Sequence, residues 1–344
     1  MSNGKAEQTG LFYFAHLMNR QRLFHLCYLL CMAFLGCPLA VWGTDREPAI
    51  LNRELKLTIP VINSDSSSCT LPFNRIGNLI VIKATVDSME GNFILDTGAP
   101  CLVLNLTYFR DYPITQVSDE EQSSIAGRGT TLSRTQVKEL SFGTLQFFRT
   151  DADLANLGNI ENAKGIRVLG MLGVELFKQC EMVIDFEKNL IYLHRISKKA
   201  PRSCVQELLK DTSLYRTYPI QFINNRIVTE SEIAGRKVRF IIDCAAESNI
   251  LDSRLPNRVF ELVTINRRVK LTGPGEQKID ALYGSLSQLK MGSRLIDDLP
   301  VIVLNLEYTC FAEGNCGDGV LGFDFLSRQK IGFNFVSRKM YLWK

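Results

Sequence analysis

The sequence predicts a mostly β protein built from two homologous lobes, and three observations support this prediction. Residues 80–96 align without a gap on residues 227–243, with apolar residues at matching positions. The register holds toward the end of the chain, because residues 319–326 and 334–342 repeat segments found 149 positions earlier (319 − 170). Short β-branched and aromatic runs are separated by glycine and asparagine, which is typical of antiparallel strands.

The length of the repeat indicates a duplicated domain. Its offset at the start is 147 residues (243 − 96), far longer than the unit of a solenoid. A chain of 344 residues has room for two domains of about 100–150 residues, each with its own core. We therefore place an N-terminal lobe at 44–196, a polar linker at 197–217 and a C-terminal lobe at 218–344. Within the lobes helix is expected only in short pieces after Gly173 and Gly322, and the linker has one short helix-like stretch.

The N-terminal segment, residues 1–43, has the pattern of a signal peptide. Arg20 and Arg22 precede a nearly continuous apolar run over 23–43, and polar residues follow from Thr44. Cleavage before Thr44 would give a secreted or periplasmic protein. The run of about 20 residues is also long enough to remain as an uncleaved membrane anchor, with the lobes on the extracytoplasmic side. Both interpretations stay open.

Ten cysteines are present, and seven of them follow residue 43. Cys310 and Cys316 would close a short glycine-containing loop, so we predict a disulfide there in an oxidising compartment. The other five cannot all pair, and at least one thiol must stay free. Apolar neighbours favour burial for most of these thiols.

Charge and histidine content exclude several function classes. The formal net charge of +4 is spread without a block of lysine or arginine, so no nucleic-acid partner is expected. The three histidines, His16, His25 and His194, have neither zinc-site spacing nor a Ser-His pattern. No metal and no cofactor are expected, and chemistry based on carboxylates becomes the favoured type.

The segment F-I-L-D-T-G-A-P, residues 93–100, resembles the active-site loop of aspartic proteases. In that family each lobe also has a hydrophobic-hydrophobic-Gly segment behind the loop, and here 171–173 and 320–322 are similar to it. The resemblance is greatest to retropepsin-like proteases and their two-lobed bacterial relatives, and it covers about residues 71–344. It implies two closed-barrel-like lobes with a cleft between them, and an aspartic-type endopeptidase.

The resemblance assigns the catalytic dyad to Asp96 and Asp243, with a peptide or protein substrate between the lobes. Two carboxyl groups held close together share one proton, because they cannot both ionise easily. One then serves as general base toward a water, while the protonated one polarises the scissile carbonyl. Thr97 would bond across the lobe interface and Gly98 would allow a tight turn. Because both halves of the dyad lie in one chain, a monomer is expected.

The second loop departs from the family pattern. Its residues 243–248 read D-C-A-A-E-S, and three differences from the first loop bear on the site: Cys244 for Thr97, Ala245 for Gly98 and Glu247 for Pro100. A thiol is a weak hydrogen-bonding group, which predicts a lopsided grip between the lobes. If the turn needs a left-handed backbone, alanine would cost roughly 1–2 kcal/mol. A third carboxylate would raise the proton affinity of its neighbours.

These departures leave three functional hypotheses. The altered loop either shifts an active protease toward neutral pH or marks an inactive pseudoprotease that binds peptides in the same cleft. The third hypothesis is a structural or assembly role for the duplicated domain, tethered through residues 23–43. Cys101 and Cys244, one in each loop, would form either a redox-sensitive bridge or two ordinary buried thiols.

Each lobe also contains a glycine-rich hairpin tip at an equivalent repeat position. The first tip contains Gly127 and Gly129, and the second contains Gly273 and Gly275. Such hairpins could close as flaps over an extended peptide and pair with its backbone. Ordinary surface turns explain either tip equally well.

Overall fold

The structure is a computed structural model that describes residues 61–63, 68–121, 131–196, 207–272, 278–307 and 317–344. All of these belong to one compact unit, Leu55–Lys344. Several predictions lie outside the described residues: the signal peptide or anchor over 1–43, the first part of the linker, the tip glycines Gly127, Gly129, Gly273 and Gly275, and the Cys310–Cys316 bridge.

The prediction of a mostly β fold with two homologous lobes is confirmed. The N-terminal lobe contains twelve described strands: β1 Val61–Asn63, β2 Ser68–Pro72, β3 Asn74–Ile76, β4 Leu79–Val86, β5 Met89–Leu95, β6 Leu102–Asn105, β7 Gln116–Glu121, β8 Thr131–Phe142, β9 Leu145–Ala155, β10 Gly170–Leu172, β11 Cys180–Asp185 and β12 Leu190–Arg195. The C-terminal lobe contains thirteen: β13 Tyr215–Pro219, β14 Gln221–Ile223, β15 Arg226–Ile233, β16 Arg236–Ile242, β17 Asn249–Asp252, β18 Val263–Thr272, β19 Lys278–Leu286, β20 Leu289–Met291, β21 Arg294–Ile296, β22 Leu299–Leu304, β23 Gly319–Leu321, β24 Ile331–Asn334 and β25 Lys339–Trp343.

The strands repeat in the register that the sequence predicts. Strands β2, β4, β5 and β6 have the same lengths as β13, β15, β16 and β17, and each pair starts 147 residues apart (215 − 68). Strand β13 begins at Tyr215, so the last three residues of the predicted linker lie in a strand of the C-terminal lobe.

Helix is short but more widely distributed than the sequence predicts. The expected pieces after Gly173 and Gly322 are present as Val174–Phe177, a 3-10 helix, and Phe323–Leu326. The other described helical segments are Leu106–Phe109, Gly158–Lys164, Glu207–Leu209, Thr212–Leu214 and Asn257–Phe260. Glu207–Leu209 and Thr212–Leu214 lie in the linker, where a short helix-like stretch was predicted. The others were hidden by their brevity, because segments of seven residues or fewer show too little apolar periodicity to be recognised.

The two lobes close their sheets differently. In the N-terminal lobe each strand pairs with the next in the order β9, β6, β10, β5, β4 and β8. The pairing of β8 with β9 closes these six strands into a barrel. In the C-terminal lobe the corresponding order is β18, β19, β22, β17, β23, β16, β15, β20 and β21, which remains an open, half-barrel sheet. The expected closed barrel is thus complete in one lobe only.

A third sheet joins the lobes. Its six strands are arranged in the order β13, β25, β24, β11, β12 and β2, so each lobe supplies three. The central pair is β11 with β24, where Val183 lies opposite Gly332. Asn334 also donates a hydrogen bond to Glu181 across this pair, at 2.7 Å. Because backbone hydrogen bonds cross the lobe interface, this sheet holds the two loops of the candidate site in a defined relation.

Aromatic side chains extend the core from one lobe into the other. Phe186 packs edge-on against Phe323 of the C-terminal lobe, with ring centroids 5.6 Å apart. Phe177 stacks on Phe335 with centroids 6.3 Å apart. Such pairs contribute about 0.5–1.5 kcal/mol beyond their buried area. No helix in the described part of the chain is both long and apolar enough to cross a membrane.

Candidate active site

Each of the two predicted catalytic aspartates lies at the end of a buried strand. Asp96 follows β5 and Asp243 follows β16, and the last three residues of both strands are buried. The backbone N–H of Asp96 donates to Leu172, and that of Asp243 donates to Leu321, both at 3.1 Å. Strands β10 and β23 therefore run behind the two loops, as the family resemblance implies.

The carboxylates are held by the backbone of their own loops. Oδ1 of Asp96 accepts hydrogen bonds from the N–H groups of Gly98 at 2.8 Å and Ala99 at 2.9 Å. Oδ1 of Asp243 accepts from Ala245 at 2.8 Å and from the following alanine at 3.1 Å. The backbone cradle is the same in both lobes, so Ala245 does not disturb it.

The two carboxyl groups lie close enough to perturb each other. Burial and the charge of Asp243 raise the pKa of Asp96 to about 8. Burial also raises the pKa of Asp243, while the N–H groups of its loop, a hydrogen bond from Asp96 and the charge of Arg226 oppose that rise. Asp96 is 9% exposed, whereas Asp243 is half-buried. The hydrogen bond between the two carboxyl groups raises the pKa of Asp96 and lowers that of Asp243, so it favours Asp96 as the protonated partner of a pair that titrates as a unit.

Thr97 joins the lobes, and its counterpart Cys244 does so less well. The buried Oγ1 of Thr97 donates to the carbonyl of Ile242 and accepts from the N–H of Cys244, both at 3.0 Å. The same oxygen lies 3.3 Å from Sγ of Cys244. The hydroxyl of Thr97 thus makes two strong hydrogen bonds to the C-terminal lobe. At the equivalent position the second loop has only a thiol, which is a weak hydrogen-bonding group.

Gly98 is needed for a different reason from the one the sequence suggested. Neither Gly98 nor Ala245 has a positive φ, so the cost of a left-handed alanine does not arise. A Cβ atom on Gly98 would instead lie 2.6 Å from Cγ of Asp243, inside the space that its carboxylate occupies. The methyl group of Ala245, in contrast, packs near an apolar cluster of the N-terminal lobe that includes Leu79 and Ile94.

Glu247 is engaged in an ion pair. Its carboxylate lies 2.6 Å from Nζ of Lys164 in the N-terminal lobe, and its carbonyl accepts from Asn78 at 3.1 Å. The charge of Lys164 offsets that of Glu247, so Glu247 is not expected to raise the proton affinity of the two aspartates as the sequence suggested. Glu247 instead helps to hold the lobes together.

Arg226 was missed by sequence reasoning. This half-buried arginine at the start of β15 donates from Nε to the carbonyl of Gly98 at 3.1 Å, across the lobe interface. Its position in the repeat corresponds to Leu79, since Ile223 pairs with Arg226 as Ile76 pairs with Leu79. A charge in one half of a repeat opposite an apolar residue in the other half is the signal that could have revealed it.

The cysteines of the two loops are separate, buried thiols. Cys101 bonds to Asp153 at 3.2 Å, and Asp153 is paired with Arg134 at 2.7 Å. Cys101 and Cys244 are both free, and burial raises the pKa of Cys244 to about 12. The interpretation as ordinary buried thiols is favoured over a redox-sensitive bridge.

Each lobe has a long hairpin in the place predicted for a flap. Strands β7 and β8 form the first, and β18 and β19 form the second. Both glycine tips lie outside the described residues, so their closing over a peptide stays a prediction. Within the described residues, no group of three or more histidine, cysteine, aspartate or glutamate side chains could hold a metal ion.

Comparisons with known proteins found similar solved structures and a matching family model. Basic 7S globulin from soybean superposes with a TM-score of 0.44 at 10% identity, covering 80% of this chain and 94% of that chain. Aspartic proteinase from Irpex lacteus superposes with a TM-score of 0.45 at 12% identity, covering 80% and 97%. No curated protein matches in sequence. A family model described as aspartyl protease matches residues 82–176 and 229–325, more than half of the chain, and each match contains one of the aspartates.

Proposed function

Because the chain belongs to the aspartyl protease family, we propose that it is an aspartic-type endopeptidase acting on extended polypeptides. The observation that carries this proposal is the pair of matching loops. Each presents one aspartate, held by two backbone N–H groups, at the interface of the lobes. The hydrogen bond from Asp96 to Asp243 suits them to act as acid and base.

The proposed reaction needs a water molecule and no covalent intermediate. The ionised Asp243 takes a proton from the water, while the oxygen of the water attacks the scissile carbonyl carbon. Asp96, protonated, gives its proton to the carbonyl oxygen, so a neutral tetrahedral diol forms. Asp243 then returns its proton to the leaving nitrogen and Asp96 recovers a proton from the diol. The C–N bond breaks, and the dyad is restored.

A second candidate is a pseudoprotease that binds peptides in the same cleft without cutting them. Ala245 favours it, since the equivalent position of the other loop has no room for a Cβ atom. Two observations favour activity instead. The backbone N–H bonds to Asp243 are kept, and the methyl of Ala245 packs near apolar residues of the N-terminal lobe.

The proposed setting is extracytoplasmic and monomeric. Arg20 and Arg22 before the apolar run at 23–43 support export by a signal peptide, or an uncleaved anchor that leaves the lobes outside. Both loops of the proposed dyad come from one chain, so no second copy is required. The proposed partner is a peptide or protein substrate.

The test is cleavage of a mixed peptide library by the purified chain between about pH 3 and pH 9. Asp96→Asn and Asp243→Asn are each expected to lower the rate by at least about 100-fold, because each removes an acid or a base. The control is Asp111→Asn, which changes an exposed aspartate and should leave cleavage unaltered.

The pH profile follows from the protonation of the pair. Asp96 has to hold its proton, so cleavage should decline as the pH rises through about 8, its pKa. Cleavage that survives either substitution in the dyad would contradict the proposal. A folded wild-type chain that binds a transition-state analogue but cuts nothing would establish the pseudoprotease instead.

A further inference from the structure

Arg226 reaches across the lobe interface to the opposite active-site loop. Its Nε donates to the carbonyl of Gly98, at 3.1 Å, although the two residues are 128 positions apart. Gly98 is also the residue against which Asp243 packs, since a Cβ atom there would lie 2.6 Å from Cγ of Asp243. The guanidinium and the Asp243 carboxylate therefore share one point of contact on the N-terminal loop.

Arg226 lies close enough to the two aspartates for its charge to interact with theirs. Burial lowers the pKa of Arg226 to about 10, while the charges of Asp243 and Asp96 oppose that decrease. Arg226 is consequently cationic at neutral pH. In turn its charge lowers the pKa of Asp243, against the effect of burial. An opposite charge at short range favours the ionised form of a carboxyl group.

The N-terminal lobe has no equivalent charge at this position. Leu79 occupies the same place in the β3–β4 hairpin and is buried in an apolar cluster with Val81 and Ile94. The two aspartates have nearly identical backbone cradles, so the cradles alone cannot decide which of them ionises. Arg226 breaks this symmetry.

Several other charged groups near the two loops have partners of their own, among them Asp324, which bonds to Ser248. Lys164 pairs with Glu247, and Lys178 pairs with Glu175 beside the Arg226 strand. Lys178 also donates to the side chain of Asn225, the neighbour of Arg226. Cys244 stays a neutral thiol at physiological pH, because burial raises its pKa to about 12.

This inference rests on the proposed function. We propose that Arg226 is a positioning residue that holds the negative charge of the dyad on Asp243 and braces the Gly98 turn against it. Asp96 is thereby assigned as the acid and Asp243 as the base. Arg226 acts through Asp243 and Gly98 and needs no contact with the substrate.

The first test is the pH profile of kcat/KM for Arg226→Gln and Arg226→Lys. Glutamine keeps a donor for the Gly98 carbonyl but removes the charge, so the acidic limb should move up by about one pH unit. On that limb kcat/KM then falls about tenfold. Lysine keeps the charge and should leave the limb near its wild-type position. Arg216→Gln, an exposed arginine of the same lobe, is the control and should not move it.

The second test does not depend on activity. In an Asp96→Asn background, Asp243 is the remaining carboxyl group of the dyad. Arg226→Gln raises its folded-state pKa, so the cost of ionising it appears as the pH rises. The loss of Tm caused by Arg226→Gln should be larger at pH 7 than at pH 4, by about 2–4 °C. The difference should vanish when Asp243→Asn is added.

The outcomes separate the two proposals. A wild-type chain that cuts nothing, combined with a pH-dependent Tm loss that Asp243→Asn abolishes, supports the role of Arg226 and refutes the protease activity. An equal Tm loss at both pH values, or one that survives Asp243→Asn, overturns the role of Arg226. So does an acidic limb that Arg226→Gln leaves in place.

Discussion

The two active-site loops share a backbone and differ in their side chains. Both cradle an aspartate with two N–H groups at 2.8–3.1 Å. In the N-terminal loop, Thr97 supplies the strong bonds to the other lobe, and Gly98 leaves room for Asp243. The C-terminal loop has Cys244 and Ala245 instead. Both loops thus supply two N–H donors to their aspartate. The strong side-chain bonds to the other lobe and the space for the opposite carboxylate each come from the N-terminal loop alone.

The largest expected effect is at Gly98, which leaves room for the Asp243 carboxylate. Gly98→Ala places a methyl group in the space of the Asp243 carboxylate, which must then leave its N–H donors. Misplacement of a catalytic group by about 1 Å costs roughly 100-fold in rate, so kcat/KM should fall at least that much. The matched change Ala245→Gly should alter kcat/KM less than about threefold. Its stability cost should be at most about 1 kcal/mol, from added freedom of the unfolded chain.

Steady-state kinetics of both variants, with Tm as the folding check, would test this contrast. Equal losses of kcat/KM in Gly98→Ala and Ala245→Gly would show that the two loops do not differ in clearance.

A smaller effect is expected at the grip between the lobes. Thr97→Val keeps the shape of the side chain but leaves the carbonyl of Ile242 and the N–H of Cys244 without their partner. Each buried group left unsatisfied costs about 1–3 kcal/mol, so the free energy of unfolding should drop by about 2–6 kcal/mol. Cys244→Ala removes one weakly bonding atom and should cost about 1 kcal/mol.

Denaturant unfolding measured on both variants gives the comparison directly. A Cys244→Ala cost as large as that of Thr97→Val would mean that the thiol shares the grip equally.

The smallest effect is expected at the ion pair between Glu247 and Lys164. The Glu247 side chain is 43% exposed, so its ion pair with Lys164 is screened by solvent. Glu247→Gln should lower the free energy of unfolding by no more than about 1 kcal/mol. The pH profile of kcat/KM should stay unchanged, because Lys164 already offsets the charge. A shift of that profile would show instead that Glu247 acts on the dyad, as its place in the sequence suggested.

Local and repeated features were readable from the chain. The gapless match of 80–96 with 227–243 placed both aspartates at strand ends, and the structure has strands of equal length there. Short apolar runs between turn residues indicated a mostly β fold. The tight approach of Asp243 to Gly98 was not readable, and a backbone constraint was suspected in its place. The brief helices, such as Gly158–Lys164, were also missed.

Sequence by itself determined the duplication, the register of the strands and the identity of the two loops, because these follow from apolar periodicity and turn residues close together in the chain. Only the tertiary structure decided that one barrel closes and the other stays open. It also decided that Thr97 bonds to Ile242 and that Arg226 reaches Gly98. Those contacts join residues more than 120 positions apart, and their geometry depends on how two curved sheets pack, which no local pattern records.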